Sequence, residues 1–276
     1  MGSVDAVPDL LVDPDWIAER LTGGSLRPIE VDVSRAAYDS GHIPGALLWD
    51  AYRDLRHPDY TPVSRREFED LLSRGGLTTG TPVVFYGYGA HLGFWLMERC
   101  GARDVRIMDG PRERWERAGH AWSTEIPAPA ASSFPGGQAG PDLGAARDEV
   151  LAGLGGHQHV LLDVRSQAEF DGDRFWPSGA TAGAGRAGHV PGAVHLSADE
   201  FRRDDGSLRE PAELRRVADA HELDPERPVI VYCTVGIRAA QVAFALTHLV
   251  GFPDVRVYYG SWAEWGSRPE TPVEVA

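Results

Sequence analysis

The sequence predicts an α/β protein made of two tandem copies of one domain, each a parallel sheet flanked by helices. Three observations predict this. Short β-branched apolar runs alternate with stretches of helical periodicity, as βαβ units require. The motifs of the first half return in the same order in the second. The 276 residues suffice for two cores of ordinary size.

The repeat is legible residue by residue. Val31-Asp32-Val33-Ser34 matches Leu162-Asp163-Val164-Arg165, and Gly41-His42-Ile43-Pro44-Gly45-Ala46 matches Gly188-His189-Val190-Pro191-Gly192-Ala193. Pro82 to Ala90 aligns with Pro228 to Gly236, Asp104-Val105-Arg106 with Asp254-Val255-Arg256, and Gly110 and Trp115 with Gly260 and Trp265. Between the copies, residues 126–141 are rich in Pro, Ala, Gly and Ser and carry no charge. The expected organisation is therefore a first domain over 9–125, a linker over 126–141 and a second domain over 142–276.

In the second half the pattern predicts a helix over about Ala145 to Leu154, a strand at Val160–Val164 and a helix near Pro211–His221. A strand at Val229–Tyr232, a helix after Cys233 and a last strand at Val255–Tyr258 follow. Val242, Ala243, Leu246, Leu249 and Val250 recur at helical spacing, and Gly251 supplies the stop. Parallel sheets bind ligands at the carboxyl ends of their strands. Cys233, Asp163 and Arg165 all fall on that edge.

Composition excludes several functions. The formal net charge is −14 and lysine is absent, so every fixed side-chain cation is arginine. Broad nucleic-acid or acidic-membrane binding is not expected, nor is a Schiff-base or P-loop lysine. No run is apolar enough to span a bilayer. The acidic N-terminal residues lack the basic and then apolar stretches of a signal peptide, so the expected location is cytoplasmic. The two cysteines, Cys100 and Cys233, occupy unmatched positions, which argues against a disulfide and for a reducing compartment.

Cys233 follows an apolar strand and precedes a loop and a helix. Loop and helix amides there favour thiolate over thiol, and Arg238 adds a full charge. In the first half Gly87 stands where Cys233 stands in the second, so only one copy carries a nucleophile. Cys100 reads as a packed helix residue.

The paired Gly-His-Ile/Val-Pro-Gly-Ala motifs, the closing Tyr258-Tyr-Gly-Ser-Trp-Ala-Glu-Trp265 and the single cysteine loop resemble the tandem-domain rhodanese family, the thiosulfate and 3-mercaptopyruvate sulfurtransferases. The resemblance covers nearly the whole chain. It implies two rhodanese-like domains with a catalytic cysteine at the floor of a cleft, one wall of which is an inactive first domain. It also implies a Cys233 persulfide that passes sulfur from a small anionic donor to a thiol or cyanide, with no cofactor or metal.

Within the loop Cys233-Thr-Val-Gly-Ile-Arg238, the residues Thr234, Val235, Gly236 and Ile237 would line the substrate, with inward amides stabilising negative sulfur. Gly236 would let the loop curl. Animal thiosulfate enzymes carry basic residues where Thr234 and Val235 stand, and mercaptopyruvate enzymes show Cys-Gly-Ser-Gly-Val-Thr, which is not matched. Arg238 is expected to grip a sulfonate or carboxylate. Arg165 matches an arginine common in the family, and Arg186 stands where mercaptopyruvate enzymes have a substrate arginine. Glu169 lies where animal enzymes place another substrate arginine, and Tyr259 replaces the usual acidic or small residue. Thiosulfate is the expected donor, with 3-mercaptopyruvate as the alternative.

The other polar candidates read as structural. His42 and His189 each precede a proline turn, and the duplication of this histidine in a half without a nucleophile assigns it to the fold. Asp32 and Asp163 anchor loops at strand ends, Asp163 supporting the catalytic loop. His157 and His159 lack nearby cysteine ligands for a metal. Trp49, Trp262 and Trp265 suit core or wall. Two competing classes remain. A phosphatase or arsenate reductase generally needs five residues between Cys and Arg, against the four here, and a sulfur-relay module would use the same thiol without a small-molecule donor.

Overall fold

In the computed structural model, residues 10–135, 142–156, 158–181, 183 and 185–275 are described. The chain divides into two compact units, Met1–Asp54 with Ser64–Gly140, and Leu55–Val63 with Pro141–Ala276. The acidic N-terminal stretch 1–9 lies outside the described residues. Among the described residues no helix is long and apolar enough to cross a membrane.

Each unit holds a five-stranded, wholly parallel sheet flanked by helices. The first contains β1 (Leu11–Val12), β2 (Arg27–Asp32), β3 (Leu47–Asp50), β4 (Val83–Tyr86) and β5 (Val105–Met108) in the order β1-β5-β4-β2-β3. The second contains β6 (Gly144–Ala145), β7 (Val160–Asp163), β8 (Val194–His195), β9 (Val229–Tyr232) and β10 (Val255–Tyr258) in the order β6-β10-β9-β7-β8. The central strands, β4 (Val-Val-Phe-Tyr) and β9 (Val-Ile-Val-Tyr), are buried at every residue. A parallel strand covered on both faces needs such continuous apolar runs.

The expected helix over 145–154 is shorter, Arg147–Ala152, because Gly144 and Ala145 pair with Val257 and Tyr258 of β10 and so belong to the sheet. The helix after the cysteine runs over Ile237–Phe244 and continues as a π-helical turn, Ala245–Val250. Gly251 caps it in the left-handed conformation, φ 88°.

The duplication persists at atomic level. His42 stacks on Tyr38 and bonds through Nδ1 to the Tyr38 carbonyl at 2.9 Å, while His189 stacks on Phe170 and bonds to its carbonyl at 2.8 Å. Tyr86 and Tyr232, each the last residue of a central strand, accept at their hydroxyls from the Ile43 and Val190 amides. These histidines shape the chain around their proline turns.

A second repeated device is a nine-residue bridged loop. In Leu55–Val63, Arg56 bridges to Pro62, His57 N–H donates to Thr61 O, and Asp59 accepts from the Thr61 amide and hydroxyl. In Phe201–Arg209, Arg202 bridges to Leu208, Arg203 N–H donates to Ser207 O, and Asp205 accepts from the Ser207 amide and hydroxyl. The copy at 55–63 belongs to the second unit, although the chain on either side of it belongs to the first.

The described part of the expected linker is not a free tether. Ser132 N–H donates to Ser73 O, Phe134 N–H donates to Ser73 Oγ, and the Phe134 ring is buried within the first unit. One buried aromatic and these bonds fix the described part of the segment to the first unit. Residues 136–141 of that segment lie outside the described residues.

The first unit could not accept a cysteine where the second has one. Gly87 adopts φ 91°, and a Cβ built there would meet Val31 O at 2.9 Å and Glu30 Cγ at 3.1 Å. Glu30 is buried and paired with Arg112 at 3.1 Å, so this crowding cannot relax cheaply. Gly87→Cys should therefore destabilise the protein by about 1–3 kcal/mol. Denaturant unfolding checks this; a Gly87→Cys variant as stable as wild type would contradict it.

Candidate active site

Cys233 is the first residue after β9 and is 1% exposed. Gly236 turns the chain into the following helix with φ 82°, and a Cβ there would lie 2.9 Å from Tyr259 O, so only glycine fits. The Gly236 N–H donates to Cys233 Sγ at 3.1 Å. A donor so placed stabilises negative charge on sulfur, whether thiolate or persulfide.

The start of the helix Ser261–Ser267 holds the rest of the loop. The Cys233 N–H donates to Ser261 Oγ at 3.2 Å, and that hydroxyl donates to Tyr258 O at 2.8 Å. The Trp262 and Ala263 amides donate to the Cys233 and Thr234 carbonyls at 2.9 and 2.8 Å. Ser261 is fully buried with φ 53°, a conformation costly for a side-chain-bearing residue. Sequence reasoning recognised the closing Gly-Ser-Trp run without finding this serine. Its only local signal is the position after Gly260.

Glu169 organises the side chains beside the loop. It is buried and accepts from Arg238 Nη1 and Nη2, both at 2.8 Å, and from Thr234 Oγ1 at 2.6 Å. It also closes the capping box of the helix Gln167–Phe170 through Ser166. Burial alone would push its carboxyl up, but the bonds and charge of Arg238, with the Thr234 and Ser166 hydroxyls, outweigh that and hold it at about 2. Thr234, expected to face substrate, is 1% exposed and spends its hydroxyl on Glu169. Val235 and Ile237 are buried as well.

The three arginines expected to bind an anion are turned to protein partners. Arg238 forks onto Glu169 and also donates to Thr234 Oγ1. Arg165 is fully buried, paired with Asp163 at 2.6 Å, bonded to Gly188 O at 2.7 Å, and placed beside the Tyr232 and Trp262 rings. Arg186 bonds to the Thr271 carbonyl and hydroxyl at 2.8 and 2.7 Å, with Gly266, Trp265 and Arg268 carbonyls as further acceptors. Arg165 is drawn fully under the surface, where a guanidinium takes the nearest carbonyls and carboxylates, whereas Arg238 is half-buried and Arg186 exposed. Asp163 reaches the loop indirectly, through Arg165 and through Tyr232, the residue before Cys233.

One further residue escaped sequence reasoning. Arg56, 4% exposed, donates from Nη2 to Val235 O at 2.8 Å, and its guanidinium lies 5.1 Å from the centre of the Tyr259 ring. Tyr259 donates its hydroxyl to Leu55 O at 2.8 Å, which gives this unexpected tyrosine a role. The signal for Arg56 was its alignment with Arg202, one loop repeat away. Cys100 is buried where its helix ends, and burial pushes its thiol up. Among the described residues no three His, Cys, Asp or Glu side chains gather as a metal site requires; His157 lies outside them.

Comparison with known proteins shows the family to which the chain belongs. The family model described as a rhodanese-like domain matches residues 13–118 and again 146–268. A thiosulfate sulfurtransferase from Corynebacterium glutamicum is 34% identical over 98% of this chain and 91% of its own length. The sulfur carrier protein TtuD from Thermus thermophilus is 34% identical over 97% of each chain. An anaerobic ergothioneine biosynthesis enzyme from Chlorobium limicola, solved with trimethyl histidine, superposes with a TM-score of 0.83 at 26% identity, over 99% of this chain and 72% of that one. A structure of EanB that carries a cysteine persulfide superposes with a TM-score of 0.82 at 26% identity, over 97% and 70%.

The Glu169 network sets an acid-stability limb. Its folded value lies below the usual 4.5, so its stabilisation is complete above that value and is lost as pH falls towards about 2. Glu169→Gln should flatten this limb in acid-unfolding curves. Arg238→Ala leaves a buried carboxylate without its main partner and should cost on the order of 3 kcal/mol. An Arg238→Ala protein as stable as wild type would show that the pair does not support the loop.

Proposed function

Because the chain belongs to the rhodanese-like family of sulfurtransferases, we propose that it moves a sulfane sulfur from thiosulfate to a thiophilic acceptor, cyanide or a thiol, through a persulfide on Cys233. The observation that carries this reading is the Gly236 N–H aimed at the Cys233 sulfur, in the one unit that has a cysteine after its central strand. The Cys233 thiolate attacks the outer sulfur of thiosulfate. The sulfur–sulfur bond of the donor breaks, and sulfite leaves with the electron pair. The new persulfide carries its negative charge on the outer sulfur, next to the loop amides. Cyanide or a thiolate then attacks that outer sulfur, thiocyanate or the acceptor persulfide departs, and the Cys233 thiolate returns.

Arg238, Arg165 and Arg186 enter this reading as residues that hold the loop and its surroundings. Thiosulfate is favoured over 3-mercaptopyruvate because Cys233-Thr-Val-Gly lacks the Cys-Gly-Ser-Gly pattern of the mercaptopyruvate enzymes. The name of the Corynebacterium relative supports the same donor. The Thermus relative, a sulfur carrier, supports a protein thiol as an acceptor.

Incubating the intact protein with thiosulfate alone should add the mass of one sulfur atom, and cyanide should remove it. Cys233→Ser should abolish both the added mass and thiocyanate formation, while Cys100→Ser retains most activity. Wild-type turnover in Cys233→Ser would end the proposal. With one acceptor, kcat/KM should be higher for thiosulfate than for 3-mercaptopyruvate, and the opposite order would promote the alternative donor.

A further inference from the structure

Val235 and Gly236 share one peptide plane, and in a trans peptide the carbonyl and the N–H point to opposite sides. Both ends of this plane are engaged. On one side Arg56 Nη2 donates to Val235 O at 2.8 Å; on the other the Gly236 N–H donates to Cys233 Sγ at 3.1 Å. We propose that Arg56 is a positioning residue for the nucleophile, holding and polarising the Val235–Gly236 peptide so that its N–H faces the reacting sulfur. The proposal rests on the reading of Cys233 as that nucleophile. A charged donor on the carbonyl draws electron density along the amide, which makes the N–H a stronger donor to anionic sulfur.

The surroundings of Arg56 fit this task. Its side chain is buried and its guanidinium lies beside Tyr259, whose hydroxyl ties back to Leu55 O and whose own carbonyl abuts Gly236. The loop Leu55–Val63 thus meets the catalytic loop at Val235 and, beside it, Tyr259, whose carbonyl abuts Gly236. The repeated loop at Phe201–Arg209 places an arginine at the same position, but Arg202 donates to the Gln241 side chain, Nε to Oε1 at 3.0 Å, in the helix Ile237–Phe244. One ancestral arginine position therefore has two targets, and only the Arg56 copy is bonded to the peptide that faces Cys233. Lysine at 56 would keep the charge but lose the planar fork; glutamine would keep a donor but lose the charge.

The test uses the full chain carrying Cys100→Ser, so that Cys233 is the single thiol. Ultraviolet thiolate absorbance is titrated against pH, each curve taken as the difference from the same variant with Cys233→Ser, beside kcat/KM for thiosulfate with cyanide. Arg56→Gln should displace the titration to higher pH and lower kcat/KM by about tenfold, and Arg56→Lys should fall between it and wild type. Arg202→Ala, which leaves the 235–236 peptide untouched, should keep the wild-type titration even where its melting temperature falls. An unmoved titration in Arg56→Gln, or equal displacement in the Arg56 and Arg202 variants, would overturn the proposal. Sulfur transfer persisting in Cys233→Ser would sink the nucleophile reading itself, whereas an inactive Cys233→Ser with an unmoved Arg56→Gln titration sinks only the role of Arg56.

Discussion

The hydrogen bond from the Gly236 amide to the Cys233 sulfur is the contact on which the site depends, and much of the second unit bears on it. The bond exists because Gly236 takes a left-handed turn against the Tyr259 carbonyl, where a Cβ has no room. That turn in turn needs the Cys233 and Thr234 carbonyls secured by the Trp262 and Ala263 amides. Ser261 completes the arrangement at the cost of a strained backbone. A short loop held at each carbonyl can present amides to an anion without reorganising when the anion forms.

Charge around the loop is balanced rather than accumulated. In a lysine-free chain of net charge −14, a cationic clamp on the donor was the natural expectation. The fold instead gives Arg238 to Glu169 and Arg165 to Asp163. The Arg165–Asp163 pair is fully buried, and Glu169 is buried beneath a half-buried Arg238; a buried charge without its partner would be far more costly than the pair. The donor that does face the Cys233 sulfur is a backbone one, the Gly236 N–H.

The two units show what duplication retained and what it changed. Histidine on an aromatic ring, tyrosine hydroxyl on a turn amide, and the bridged loop recur in both. These are packing devices, and either copy needs them to fold. At the strand end the units diverge: the first has a left-handed glycine packed against Glu30 and Val31, the second a cysteine under an amide. A left-handed glycine crowded in this way leaves no room for a side chain, so the two units differ here in backbone and not only in side chain.

How much was legible follows from the range of each interaction. β-branched runs such as Val229–Tyr232, the glycine stops, the internal repeat and the solitary thiol after a strand are local patterns, and local sterics and burial suffice to read them. The parallel sheet follows from their alternation, and Cys233 from its place in it. The partners of Arg238 and Arg56 were not legible, since Arg238 meets Glu169 across 69 residues and Arg56 meets Val235 across 179. A long cationic side chain has many rotamers and no local preference among acceptors. Only the packed chain decides which carboxylate or carbonyl is within reach once water is excluded. The sequence by itself determined the duplicated α/β fold and the position of the thiol; the tertiary structure decided which charges serve the loop, because desolvation forces each buried charge onto the nearest partner in space.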